Sequence, residues 1–252
     1  MVNHAQLTAQ WEAEEKFPFQ GWDFSHLDGR WDCPAPPWDY RAVVEFYLND
    51  NDRLLDLGTG GGEVLLSIGH PYGNTYATEA YLPNLELCRK VLSPLGLTVA
   101  QTYEDDKLPF ENAFFDCVIN RHESFNLMEV DRVLKPGGYF VTQQVGNQNK
   151  REFAQMLIDG LPPFFPAHTI ENYVIALKEM GWRVLQTDET RYPVKFYDVG
   201  ALVYYAKIIP WEFPGFSVKT HLDKLLACQQ EIEEKGLLLG SGHRWLIAAQ
   251  KP

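Results

Sequence analysis

The segment Leu54-Leu55-Asp56-Leu57-Gly58-Thr59-Gly60-Gly61-Gly62-Glu63-Val64 holds the residues whose types and spacing point most directly to chemistry. An apolar run ends in glycines at 58, 60 and 62, and a helix-forming stretch follows. Glycines so placed let the backbone turn sharply and let a ligand approach main-chain N–H groups with no Cβ in the way. A phosphate-gripping P-loop would need Gly-Lys-Ser/Thr at its end, where this chain has Glu63-Val64. A dinucleotide fingerprint would need its third glycine where Glu63 stands. Asp56 and Glu63 would also bracket a pyrophosphate with two carboxylates. Each like-charge contact near 4 Å costs on the order of 4 kcal/mol at an effective dielectric of ~20. The loop therefore suits a cofactor that carries a cationic amino group and a sulfonium and no phosphate.

Further landmarks follow in order. Glu79 closes the next apolar run, Glu104-Asp105-Asp106-Lys107-Leu108-Pro109-Phe110 leads to Phe114-Phe115-Asp116-Cys117-Val118, and Leu134-Lys135-Pro136-Gly137-Gly138 comes after them. Together with Asp56-x-Gly58-x-Gly60-x-Gly62, these resemble the motifs of class I S-adenosylmethionine-dependent methyltransferases, in the small-molecule, "methyltransferase type 11"-like branch. The resemblance covers about residues 40–145 and implies a Rossmann-like fold with S-adenosylmethionine as cofactor. It also implies roles. Gly58, Gly60 and Gly62 form the loop against the methionine part, and Asp56 receives its ammonium, directly or through water. Glu79 accepts from the ribose hydroxyls, and Tyr81 with Leu82 flanks the adenine. Glu104 and Asp105 read the adenine edge, one by its carboxylate and one by its backbone N–H. Position 104 is Glu where the family usually has Asp. Asn120 and Arg121 line the sulfonium and the acceptor.

Methyl transfer is an in-line displacement at a carbon already activated by the sulfonium. The protein has to supply positioning, and a base if the acceptor carries a proton. Asn120-Arg121-His122-Glu123-Ser124-Phe125 follows the fourth strand of the resembling region, at the sheet edge where open α/β folds bind ligands. His122 is its candidate base, with Arg121 beside it. The other histidines form no His-x-x-x-His pair, and the four cysteines form no Cys-x-x-Cys, so no metal is expected.

The elements that must position these groups alternate. Helical patterns are expected over 41–48, 63–68, 82–92, 127–134 and 169–180. Short apolar strands are expected over 53–57, 74–78, 98–101, 115–120, 139–143, 183–186 and 243–250, with a turn at 135–138. Such alternation predicts an α/β chain with a Rossmann-like, mostly parallel sheet and helices on both faces. Residues 1–40, rich in Trp, Phe and Pro, read as an aromatic N-terminal arm, and 41–252 as the catalytic domain. An insertion at about 190–242 precedes the last strand, with helices over 199–209 (Asp198 as N-cap) and 219–235. It is far longer than a hairpin loop, and its aromatics, Tyr204 and Trp211 among them, are expected to cover the acceptor pocket together with the arm.

Composition bounds the partners. The 252 residues include 22 Lys+Arg against 34 Asp+Glu, a net charge of -12. Such a surface repels phosphate backbones, and the densest basic cluster is the pair Lys150-Arg151. A small or medium organic acceptor is expected and nucleic acid is not. The competing readings are a non-catalytic S-adenosylmethionine-binding protein and, ranked after it, an RNA methyltransferase. No stretch reads as a secretory signal or a membrane span, and four unpaired cysteines suit a reducing cytoplasm. Nothing in the sequence sets an oligomeric state.

Overall fold

The computed structural model describes residues 4–19, 22–102, 107–162 and 168–252. Its helices are α1 (His4–Lys16), α2 (Tyr40–Tyr47), α3 (Glu63–Ile68), α4 (Leu82–Val91), α5 (Leu127–Val133), α6 (Arg151–Leu157), α7 (Ile170–Glu179), α8 (Val199–Ile208) and α9 (Leu222–Lys235). Its strands are β1 (Trp31–Asp32), β2 (Leu54–Leu57), β3 (Thr75–Glu79), β4 (Thr98–Gln101), β5 (Phe115–Arg121), β6 (Leu134–Val145), β7 (Arg183–Phe196) and β8 (Leu238–Gln250).

All four residues of β2 are buried, because a central strand covered on both sides has no polar face. On one side Leu55, Val118 and Phe140 pack with residues of α5 and α7. On the other, Leu54, Ile119 and Val141 pack with residues of α2, α3 and α4. The sheet order is β1-β7-β8-β6-β5-β2-β3-β4. Strands β2 to β6 run parallel, while β8 is antiparallel to both β6 and β7. The expected Rossmann-like fold, mostly parallel with helices on both faces, is the fold observed.

Three local expectations are corrected. Strands β7 and β8 form one long ladder with Phe196 opposite Leu238, so the insertion starts after 196 and ends before 238, not at about 190 and 242. Pro193 argues against a strand on sequence, but β7 is nearly an edge strand, bordered outside only by two-residue β1, so its missing N–H is tolerated. Residues 134–138 do not form a separate turn. They enter β6, with a register shift between Phe115 and Cys117. There Gly138 leaves no room for a side chain, since a Cβ would lie 2.8 Å from Asp116 O. The arm also opens with a helix, α1, which aromatic content alone did not indicate. Its Ala, Gln and Glu residues favour helix, and Trp11 anchors it.

A second core lies beyond the sheet. Helix α8 is buried almost all round, and Trp11 and Leu27 of the arm pack with it and with Phe153, Phe196 and Phe213. Arg30 fastens this assembly. Its guanidinium donates to both Asp198 carboxylate oxygens (2.9 and 2.6 Å) and pairs with Glu14 at 2.9 Å. Asp198 meanwhile caps α8 by accepting from Ala201 N. Arg30→Met should therefore loosen the arm and leave the sheet folded, at a cost of ~1–3 kcal/mol. Limited proteolysis checks this: cleavage within residues 4–30 should speed up, and an unchanged digestion pattern would refute the fastening role.

Candidate functional site

The glycine loop is shaped as the sequence requires. Gly58, Gly60 and Gly62 have φ of 70°, 63° and 89°, left-handed values that side chains rarely adopt. Their roles differ. Gly58 and Gly60 line a cavity. Gly62 faces away, and a Cβ there would sit 2.7 Å from Leu92 Cδ2, so its task is close packing of the helix that follows. Glu123 lies against Gly58, and Trp22 of the arm against Gly60.

Asp56 and Glu79 lie at the ends of neighbouring strands, 6% and 4% exposed. Burial raises the Asp56 carboxyl to about 6, opposed by a Thr59 hydrogen bond and the Arg121 charge and assisted by Glu79. Neither carboxylate forms an ion pair among the described residues. Two buried, acceptor-only groups beside N–H-bearing glycines suit an ammonium and hydroxyl donors, and would repel phosphate. The residues thus fit S-adenosylmethionine. Glu79 also has a structural task, since it accepts from Gly60 N at 2.8 Å and from Tyr81 N at 2.9 Å and so fixes the loop.

The cavity has a volume of 660 Å³, within the roughly 300–1,000 Å³ of small-molecule sites. It runs along the carboxyl edge of the sheet from Asp56 to Arg121 at the end of β5 and Arg244 on β8. The arm contributes Trp22, Phe24, Trp31 and Cys33 to its wall, and the insertion contributes Tyr205, Ile209, Trp211 and Glu212. Arm and insertion therefore roof the same cavity that the glycine loop borders. A smaller adjoining hollow is lined by Gly58, Thr78, Thr102, Leu108 and Phe125.

Other residues singled out from sequence fall elsewhere. Tyr204 is a correction: it lies within the second core, edge-on to Phe17 and against His26, and its neighbour Tyr205 reaches the cavity. A helix turns successive residues to different sides, and sequence did not show which side faced inward. Asn120 is fully buried and outside the cavity wall. It donates to Leu57 O and accepts from Thr142 Oγ1 and Gln144 Nε2, stitching β5 to its neighbours. Tyr81 is exposed, at the start of α4. Glu104 and Asp105 lie outside the described residues.

His122 lines the cavity with a left-handed backbone (φ 63°). Its protonation follows from its neighbours. Trp38 Nε1, which can only donate, bonds Gln143 Oε1 at 2.7 Å. The amide nitrogen of Gln143 is thus the donor to His122 Nε2, 3.0 Å away, which puts the ring proton on Nδ1. Burial, with the charges of Arg244, Arg121 and Lys150, holds the imidazole well below its usual range. His122 is neutral at pH 7, with its acceptor nitrogen engaged.

Three cavity residues, Lys150, Glu212 and Arg244, carried no sequence signal of a site. Burial lowers the Lys150 ammonium to about 8, partly offset by the Cys33 sulfur, and Lys150 lies over the rings of Trp31 (4.9 Å) and Tyr205 (4.6 Å). Arg244 donates from Nη1 to Asn149 Oδ1 and His243 O. Burial raises Glu212 to about 6 against the charges of Lys150, Arg151 and Arg244, and its Oε2 has no hydrogen-bond partner. Among the described residues no cluster suits a metal ion, and no helix is long and apolar enough to cross a membrane.

Comparison with known proteins finds methyltransferases. A family model described as a methyltransferase domain matches residues 55–142. The chain is 28% identical over 134 residues to the ribosomal RNA small subunit methyltransferase G of Chlorobium luteolum, covering 49% of this chain and 56% of that protein. It is 30% identical over 147 residues to the phthiotriol/phenolphthiotriol dimycocerosates methyltransferase of Mycobacterium tuberculosis, covering 50% and 53%. The chain thus spans about half the length of the curated relatives it matches. A crystal structure of a methyltransferase of unproven function from Bacillus halodurans superposes with a TM-score of 0.58 at 16% identity, covering 85% of this chain and 99% of that one.

Proposed function

From the premise that residues 55–142 carry a class I S-adenosylmethionine-dependent methyltransferase domain, we propose that this chain methylates a small or medium organic acceptor. The observation that carries the reading is the roofed cavity, where the glycine loop and Asp56 share one space with Trp31, Tyr205 and Trp211. A covered, aromatic-walled space supports a compact acceptor over RNA, as does the net charge of -12.

The cofactor, when bound, supplies an electrophilic methyl group on a sulfonium. The chain supplies the placement. Asp56 holds the methionine end, which lies against the backbone of Gly58 and Gly60, and Glu79 keeps the loop in shape by accepting from Gly60 N. The arm and the insertion exclude water, which strengthens the polar contacts inside. With Nδ1 protonated and Nε2 engaged, His122 acts as a hydrogen-bond donor that orients the acceptor, rather than as the base expected from its position. Arg121, alongside, supplies positive charge. The four cysteines are free thiols, which supports a cytoplasmic location.

Calorimetric titration tests the cofactor. S-adenosylhomocysteine should bind, and NAD and ATP should not. Tighter binding of NAD would overturn the assignment. Release of S-adenosylhomocysteine during turnover with an acceptor panel then separates an enzyme from a non-catalytic binder of the cofactor.

A further inference from the structure

Along the carboxyl edge of the sheet the charge changes sign. Over β2 and β3 it is acidic, with Asp56 and Glu79 buried. Over β5, β6 and β8 it is basic. Arg121 ends β5 opposite Gln143, Arg244 pairs with Val145 at the end of β6, and Lys150 follows shortly after. All three line the cavity beyond the glycine loop, and the fields of all three act on His122. In a chain with twelve more acids than bases, none of the three has a carboxylate within 4 Å among the described residues. Arg30, Lys135, Lys195 and Lys224 all do.

Their settings differ, and each leaves positive charge uncompensated. Lys150 is 3% exposed and is held by two ring faces and the Cys33 sulfur. Its backbone is left-handed (φ 53°), tied by its N–H to Ser241 O at 2.6 Å. Arg244 has Nη1 engaged by neutral oxygens. Arg121, exposed at the end of β5, lines the cavity. Two acids act on this group without forming an ion pair: the field of Glu212 reaches Lys150 and Arg244, and that of Asp56 reaches Arg121. The remaining acids of the cavity wall, Glu63 and Glu123, belong to the glycine loop and the turn against it. Two carboxylates, of which Asp56 is assigned to the ammonium of the cofactor, do not balance three cations, and cations gathered in one cavity with Lys150 buried among them favour an anion beside them.

Resting on the methyltransferase reading, we propose that the acceptor carries a compact oxyanion, a carboxylate or a phosphate on an apolar body, seated among Arg121, Lys150 and Arg244. The rings of Trp31, Tyr205 and Trp211 cover the apolar body. The cofactor and the acceptor are thus sorted along one cavity by the sign of the sheet edge.

The test uses the full chain saturated with S-adenosylhomocysteine and follows binding by calorimetric titration. Indole-3-acetate and benzyl phosphate are titrated against their neutral counterparts, indole-3-acetamide and benzyl alcohol. At least one anion should bind about tenfold or more tightly than its counterpart, as a charge-assisted contact implies, and this preference should shrink with added salt. Whichever anion prevails tells a carboxylate site from a phosphate site. In Lys150→Met and Arg244→Met the preference should largely vanish while S-adenosylhomocysteine affinity holds, and Arg244→Lys should retain part of it. Equal binding of anions and neutral analogues, or no binding of either anion at millimolar concentration, overturns the proposal. The wild-type comparison decides even if a variant fails to fold. Failure of S-adenosylhomocysteine to bind overturns the methyltransferase reading instead.

Discussion

Asp56→Asn is expected to make the ligand-free protein more stable and the cofactor site weaker. Burial holds the Asp56 carboxyl at about 6, against an ordinary 3.8. The native state therefore keeps a proton that the unfolded chain has lost between those two values. That contribution to stability is fully present below the unfolded value and is lost as pH rises through about 6, to ~3 kcal/mol at neutral pH. The neutral amide removes the penalty, so at pH 7.5 the variant should melt about 5 °C or more above the wild type. The gap should open between about pH 4 and pH 6 and stay level above. Cofactor binding moves the other way. An ammonium pairs with the ionised carboxylate, so wild-type affinity for S-adenosylhomocysteine should rise with pH through about 6. Loss of that charge-assisted contact should cost roughly ten- to a hundredfold in affinity. Thermal melts and calorimetry across this range check both halves. A variant that melts lower at neutral pH, or binds the cofactor as tightly as wild type, would contradict the account.

Glu79→Ala is expected to damage the site more broadly, because this carboxylate accepts from the N–H groups of Gly60 and Tyr81. Alanine leaves the buried Gly60 donor without its partner, at ~1–3 kcal/mol, and releases the half-buried Tyr81 donor as well. The left-handed turn at Gly60 then loses its tie to β3, so cofactor affinity should fall by about a hundredfold or more through the loop and the lost ribose contact combined. Glu79→Gln keeps an acceptor oxygen and should recover most of the stability but not the affinity. Denaturant melts beside calorimetry separate these effects. Equal stability of the alanine variant and wild type would show that the loop does not depend on Glu79.

The cofactor half was legible because its signals are local. Asp56 and three alternate glycines lie within seven residues, and three left-handed positions in one short turn strongly favour glycine. That fixed the loop and the two carboxylates. It did not separate Gly58 and Gly60, which face the cavity, from Gly62, which packs on Leu92. Nor did it show that Asn120, expected at the sulfonium, is consumed in holding strands together.

The acceptor half could not be read the same way. Lys150 and Arg151 were visible as a pair of basic residues too few to form a surface. The fold sets Lys150 beside Arg121, 29 positions earlier, and Arg244, 94 positions later, because β5, β6 and β8 are neighbours in the sheet. In the same way, the length and aromatic content of the arm and the insertion announced a cover. That Tyr205 and not Tyr204 faces the cavity was fixed by the rotation of α8 against Trp11, Phe17 and His26 of the arm. The sequence by itself determined the sheet, the loop and the class of cofactor, since each rests on periodicity or on backbone angles within a short stretch. The tertiary structure alone decided the sign of charge around the acceptor, because that charge is a sum over residues brought together only when distant strands pair.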